Sequence, residues 1–365
     1  MRKGIFALAA VSLLATGSVA ACGSDSSGDS GSGKSSAGKV GVILPDTKSS
    51  ARWATADLTY LKAAFAAAGV EVNIQNAQGD KANFQTIADG MISSGVKVLM
   101  IVNLDSGTGK AVLDKARTAG IATIDYDRLT LNGGANYYVS FDNVKVGELQ
   151  GQGLVDCLKA SGVEKPVVAE LNGSPDDNNA TLFAQGYNSV LDPLYASGDL
   201  TKGPNQSVPD WDNQQALTIY EQMLQKTNNK IDGVLAANDG LANSVISALK
   251  ARKLKQIPVT GQDATTQGLQ NILTGDQCMT VYKAIKAEAD AAAKLAIALA
   301  KGEEPPSGLV NGKSDDGARQ VPSALLTPVA VTKDNIKDTV LADGFVKREE
   351  LCAGKYADAC SKAGI

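Results

Sequence analysis

Arg52-Trp53, Asp127-Arg128, the run from Gly173 to Asn179, Asn238-Asp239, Gln262-Asp263 and Lys283 hold the side chains of this chain best suited to recognising a ligand. Together they offer carboxylates, carboxamides, guanidinium and ammonium groups, and Trp53 and Trp211 are the only 2 tryptophans of the chain. A sugar hydroxyl both donates and accepts. Asp and Asn can therefore take its proton, while Arg, Lys and Asn supply one. The C–H faces of a pyranose are apolar and weakly positive and stack on an electron-rich indole. Trp53 and Trp211 are the candidates for its two faces.

Each group also has a bland explanation. Asp127-Arg128 reads equally as a surface ion pair, Asp177 and Asn238-Asp239 as helix N-caps, and Trp53 as core packing on its helix. Their recurrence just past successive strands favours a ligand, because capping alone does not call for Trp, Arg and Lys there.

The elements that must position these residues follow from periodicity. From Lys39 onward, short β-branched apolar runs alternate with amphipathic stretches of helical period, the pattern of βα units stacked around parallel sheets. Strand Val40 to Leu44 leads to a helix from Trp53 to Ala68, and the strand Ile121 to Tyr126 ends at Asp127. A second series holds strands Val167 to Leu171, Ile231 to Ala236 and Ile257 to Thr260, each followed by polar residues of the candidate set. Met279 to Tyr282 is a return crossing, the Ala-rich helix Ala284 to Ala300 closes the first lobe, and Leu325 to Val331 re-enters the second. The expected fold is α/β with two doubly wound parallel-sheet lobes. In such sheets ligands sit beyond the carboxyl ends of the strands.

Composition removes several classes. The chain has no histidine, which excludes Ser-His-Asp and Cys-His catalysis and the usual His-based zinc sites. A net charge of -4 with interspersed signs gives no basic footprint for nucleic acid. No cofactor and no metal site is expected.

The N-terminus carries an address. Arg2 and Lys3, the apolar stretch Ile5 to Leu14 and then Val19-Ala20-Ala21-Cys22 form a signal peptide over 1–21 that ends in a lipobox. Cys22 would be lipidated and hold the protein on the membrane surface, with 22–38 as a Ser/Gly-rich tether. Beyond the leader no apolar stretch reaches the about 18 residues of a membrane helix. Of the 5 cysteines, Cys157, Cys278, Cys352 and Cys360 then remain for pairing outside the cytoplasm. Cys352 and Cys360 are close enough in sequence to clip the tail, whereas free thiols at Cys157 and Cys278 are as tenable as a second bridge.

Longer ordered segments carry a resemblance. They are Arg52-Trp53, Tyr126-Asp127-Arg128, Tyr138-Val-Ser-Phe-Asp-Asn-Val-Lys-Val-Gly-Glu148, Gly173-Ser-Pro-Asp-Asp-Asn-Asn-Ala180, Gly261-Gln-Asp263, Met279-Thr-Val-Tyr-Lys283 and Val321-Pro-Ser-Ala-Leu-Leu-Thr-Pro328. With them the chain resembles, from Lys39 to Glu350, the sugar-binding proteins of bacterial ABC importers, and within these the D-xylose binders. The resemblance implies a type I periplasmic-binding fold with a three-crossing hinge. The implied lobes are 39–141 plus 283–322 and 142–282 plus 323–350, followed by an added tail over 351–365. It places Arg52, Asp127, Arg128, Asn179, Asn238, Asp263 and Lys283 on sugar hydroxyls and Trp53 and Trp211 at the stacking positions. Asp177 carries over less firmly, since either it or Asp176 can turn inward. The segment Leu200 to Pro209 departs from the pattern, containing Pro and Gly where a clear strand is expected.

The resulting expectation is a monomeric, lipid-anchored, extracytoplasmic receptor that catalyses nothing. It captures a monosaccharide, D-xylose first, by hinge closure and hands it to a membrane permease. No GxxxxGK[ST] loop occurs, so the ATPase is a separate chain. A sensing co-receptor and a receptor for another monosaccharide are the alternatives. A glycoside hydrolase using Asp127 and Asp263 is the remote one, because Arg128 beside Asp127 would keep it ionised rather than acidic.

Overall fold

The computed structural model describes residues 38–365. The leader, Cys22 and the tether through residue 37 lie outside the described residues. Strands β1 (Val40–Leu44), β2 (Val72–Asn76), β3 (Val98–Ile101), β4 (Ala122–Tyr126) and β5 (Tyr137–Phe141) form a parallel sheet. Between them run helices α1 (Ala56–Ala67), α2 (Lys81–Ser93) and α3 (Ser106–Thr118). Then come α4 (Asn143–Ser161), β6 (Val167–Asn172), α5 (Asn178–Ser197), β7 (Thr201–Ser207), α6 (Asn213–Lys226), β8 (Gly233–Ala236), α7 (Asp239–Ala251) and α8 (Thr266–Thr274). The chain continues through β9 (Thr280–Tyr282), α9 (Ile285–Lys301), β10 (Gly312–Asp315), β11 (Gln320–Leu326) and β12 (Val329–Val331).

The first sheet is seven-stranded, in the order β10-β11-β5-β4-β3-β1-β2, with only β10 antiparallel. Helices cover both faces. Leu61 and Phe65 of α1 and the alanines of α9 pack on one, and Phe84, Met91, Val112 and Leu113 of α2 and α3 on the other. Because both faces are covered, β1 and β3 are buried throughout, which is why they read as unbroken apolar runs. The second sheet is β7-β6-β8, and β9 pairs antiparallel with β12. Its core runs from Leu154 and Leu158 of α4 through Leu171 and Val234 to Leu241 and Val245 of α7.

The chain passes between the two sheets three times: after β5, after β9, and between β11 and β12. The third passage falls later than the 322/323 division read from the sequence. Strand β11 stays in register with β5 through Leu326↔Phe141, and the chain leaves at Thr327-Pro328, where proline offers no N–H to the ladder.

Three local readings change. The helix expected from Trp53 begins only at Ala56, and Arg52 and Trp53 sit on a separate 3₁₀ turn, Ala51–Ala54, broken from it at Thr55. The segment around Pro204 is a strand after all. As β7 it lies at the sheet edge, where a missing N–H costs little, and Gly203 lies so close to Val168 that a Cβ would strike its carbonyl. Ile257 to Thr260 contributes one bridge, Val234↔Val259, rather than a full strand.

Cys157 on α4 is bonded to Cys278 just before β9, and Cys352 to Cys360. Leu351, Cys360 and Ile365 of the tail pack with Leu269, Ile272 and Leu273 of α8, and Gln270 Nε2 donates to Leu351 O at 3.1 Å. Among the described residues no helix is long and apolar enough to cross a membrane.

Candidate functional site

One cavity between the two sheets gathers the nominated residues. Arg52, Trp53, Asp127, Arg128 and Lys283 line it, as do Asp177, Asn179, Trp211, Asn238 and Asp263. Ser49, Ser50, Phe183 and Gln262 complete the wall. Sequence reasoning did not single out Ser49, Ser50 or Phe183, and it named Gln262 only as the neighbour of Asp263. Phe183 had a findable signal, one helical turn past Asn179 on the same face of α5.

Asp127 follows β4 with φ at 62°, a left-handed backbone that a non-glycine residue adopts only under constraint. Its carbonyl is held by Tyr138 Oη and Ser140 Oγ at 2.9 Å and by Asn179 Nδ2 at 3.0 Å. The turn aims the carboxylate at cations. Arg52 Nη1 donates to Oδ2 at 2.6 Å, Lys283 Nζ stands 3.8 Å from the same oxygen, and Asn179 Nδ2 donates to Oδ1 at 3.0 Å. Burial alone would raise the Asp127 pKa, but Lys283, Arg52 and Arg128 outweigh it and hold the carboxyl below its usual range. Asp263, with φ at 95°, mirrors this arrangement from the opposite wall. Gln262 Nε2 donates to its Oδ1 at 2.6 Å, Ser50 Oγ to its Oδ2 at 3.1 Å, and Lys283 Nζ lies 3.6 Å from Oδ1.

The capping and the ligand readings hold together. Asp177 Oδ1 caps α5 through Asn179 N at 2.9 Å, while Oδ2 accepts from the Trp211 indole at 3.1 Å and lies 3.0 Å from Arg128 Nε. That last pair is an ion pair by distance only, since the Nε–H is not directed at the oxygen. Asp177 is the aspartate turned inward, and Asp176 is exposed. Asn238 Oδ1 caps α7 through Leu241 N at 2.9 Å, which leaves its amide NH₂ as the group that can donate into the cavity. Trp53 is both core and wall. It packs with Leu61 and Tyr126, and the Arg52 guanidinium covers one ring face at 4.3 Å, so at most the other face remains for a ligand.

Trp211 sits on a 3₁₀ turn before α6 with φ at 56°, following Asp210 at 54°. The ring edge packs against Gly173, where any Cβ would collide with the indole, and Phe183 meets it edge-on at 6.5 Å. Glycine at 173 is thus required for the ring to lie where it does.

Two buried carboxylates beneath the cavity were not nominated. Arg52 Nε and Nη2 donate to Asp57 Oδ2 and Oδ1 at 2.8 and 2.7 Å, and Nη2 also donates to Glu288 Oε2 at 2.5 Å. Burial disfavours the Arg52 charge, but Asp57, Glu288 and Asp127 raise its pKa well above the ordinary value. Glu288 falls on the buried stripe of α9, three residues after Ile285 and four before Ala292. A carboxylate on an otherwise apolar stripe was the available signal.

A family model described as a periplasmic binding protein domain matches residues 40–304. The chain belongs to this family. This periplasmic binding protein is 39% identical over 314 residues to the D-xylose-binding periplasmic protein of Escherichia coli K12, covering 86% of the chain and 92% of that protein. The multiple sugar-binding periplasmic receptor ChvE of Rhizobium radiobacter is 37% identical over 330 residues, at 86% and 92% coverage. Among solved structures, an ABC transporter solute binding protein from Clostridium phytofermentans with bound β-D-glucose superposes with a TM-score of 0.79 at 31% identity, covering 86% and 99%. A carbohydrate transporter solute binding protein from Chloroflexus aurantiacus in complex with D-glucose gives 0.78 at 30%, covering 85% and 97%. The two-lobed type I periplasmic-binding fold expected from the sequence is the fold found, and the chain is a sugar-binding protein of the ABC transport class.

Proposed function

We propose that this protein captures a single monosaccharide, D-xylose before others, and delivers it to a membrane permease driven by a separate ATPase. The observation that carries the reading is convergence: residues from Arg52 to Lys283, picked as polar or aromatic groups at strand ends, line one cavity between the sheets. The lobes are 39–141 with 283–326 and 142–282 with 327–350, and 351–365 is a tail on the second. The sugar hydroxyls replace or join the pairs that already bridge the cleft, Asn179 to Asp127 and Ser50 to Asp263. Trp211 and Trp53 take the C–H faces. A ligand held by both lobes binds the closed form better, and that difference in affinity drives closure.

The protein binds without turnover. Asp127 is held ionised by Lys283, Arg52 and Arg128, which suits a hydrogen-bond acceptor and not a general acid. It works as a monomer tethered by lipid on Cys22. Xylose leads because two curated relatives, from Escherichia coli and Haemophilus influenzae, carry that sugar in their names. Calorimetric titration of the purified protein with D-xylose, D-glucose, D-ribose and L-arabinose tests the reading. One-to-one binding in the micromolar range or tighter that favours xylose is expected. Tight binding of another sugar replaces the ligand and keeps the class, and heat from none of them overturns the proposal.

A further inference from the structure

Glu288 is fully buried on α9, lines no part of the cavity, and is not needed to fill its place in the helix. Ile285, Ala289, Ala292, Ala293 and Ala296 form the apolar stripe it interrupts, so a leucine would continue the packing. Instead it presents Oε2 to Arg52 Nη2 at 2.5 Å, while its Oε1 has no hydrogen-bond partner among the described residues. From the other side Asp57 takes the Nε–H and the second Nη2 hydrogen of Arg52, and Tyr126 Oη steadies Asp57 Oδ1 at 2.6 Å. A guanidinium has five N–H groups. With one Nη1 hydrogen on Asp127, a single Nη1 hydrogen stays uncommitted.

We propose that Glu288 is a positioning residue for sugar capture: with Asp57 it clamps the Arg52 guanidinium so that its one uncommitted N–H is presented to a sugar hydroxyl. This rests on the reading of the cavity as a monosaccharide site. The clamp fixes a planar group on three sides, so the donor needs no ordering when the ligand arrives.

The clamp also carries a pH dependence. The groups facing Glu288 are Arg52 from the 3₁₀ turn, Asp57 from α1, Tyr126 and Asp127 from β4 and its end, Tyr138 from β5 and Lys283 after β9. Strands β1, β3 and β11 also pack on α9 and carry no titratable residue. Burial pushes the Glu288 carboxyl up to about 8. Arg52 works against that shift, Asp127 and Asp57 add to it, and Lys283 opposes it. As pH rises through this value the bond to Arg52, already charge-assisted by the guanidinium, becomes an ion pair and tightens.

The test is calorimetric titration with D-xylose at pH 6.5, 7.5 and 9 for the full chain, Glu288→Gln and Glu288→Leu, with thermal melts to establish folding. The expected result is a wild-type affinity that climbs about threefold toward pH 9 with a midpoint near pH 8. That step should be missing from Glu288→Gln, whose affinity matches wild type at pH 6.5. Glu288→Leu, which keeps the site filled and loses the acceptor, should bind more than about tenfold more weakly at every pH. A folded Glu288→Leu that binds within twofold of wild type overturns the proposal. If that variant does not fold, a Glu288→Gln profile that keeps the wild-type step overturns it instead. A wild-type protein that binds none of the four sugars sinks the site reading itself, and this inference with it.

Discussion

The indole N–H of Trp211 donates to Asp177 Oδ2 at 3.1 Å, and the same carboxylate caps α5 with its other oxygen. One residue thereby fixes a helix start and the tilt of an aromatic ring on the cavity wall. Trp211→Ala is expected to lose more than about tenfold in sugar affinity, since both the stacked face and its desolvation disappear. Unchanged affinity by calorimetry would remove Trp211 from the site.

Gly173 gives an indirect test of the same ring. A Cβ there would meet the indole, which is backed by Phe183 and cannot simply retreat. Gly173→Ala should weaken binding about fivefold or more and lower the melting temperature as well, because the buried indole must be displaced for the Cβ to fit. Equal affinities for variant and wild type would mean that ring placement does not govern binding.

Asp127→Ala removes the acceptor for Arg52 Nη1 and Asn179 Nδ2 and the neighbour of Lys283. Leaving buried cations without their partner costs about 3 kcal/mol or more, so both sugar affinity and thermal stability should drop. Binding within a factor of two of wild type would show that Asp127 is not a ligand.

Glu288 makes a stability prediction of opposite sign to its binding one. Its pKa is near 8 in the folded protein against an ordinary 4.5, so the folded state holds a proton that the unfolded chain has released. The stability this contributes is full below about pH 4.5 and is lost as pH rises through 8. Glu288→Gln carries no such loss. Its melting temperature relative to wild type should therefore increase steadily from pH 5 to 8, and a constant difference across that range would refute the assignment.

The disulfides should differ in weight. Cys157 and Cys278 are 121 residues apart and Cys352 and Cys360 only 8. Loop-closure entropy assigns about 5 kcal/mol to the first and about 2.5 kcal/mol to the second. Paired Cys→Ser replacements compared by denaturant unfolding should keep that order, and a larger loss on removing the tail bridge would contradict it.

The alternation of apolar runs with amphipathic stretches, and the polar residues just past each run, were enough to set the fold class and most of the cavity residues, because both follow from local periods of the chain. Arg52, Asp127 and Asn238 are legible for that reason: strand ends in this architecture face one crevice. The sequence did not reveal that Asp177 and Asn238 cap helices and face the cavity at once, since that depends on which carboxylate oxygen or amide group points where. Nor could it place Asp57 and Glu288 under Arg52. They lie 5 and 236 positions away along the chain and meet it only through the packing of α1 and α9. The third passage at Thr327-Pro328 was settled by the register of β11 on β5, a pairing between residues 185 apart, Ser323 and Tyr138. Periodicity is a property of neighbours, whereas buried charge pairing and strand register are properties of distant segments brought together. The first could be read from the chain, and the second needed the folded molecule.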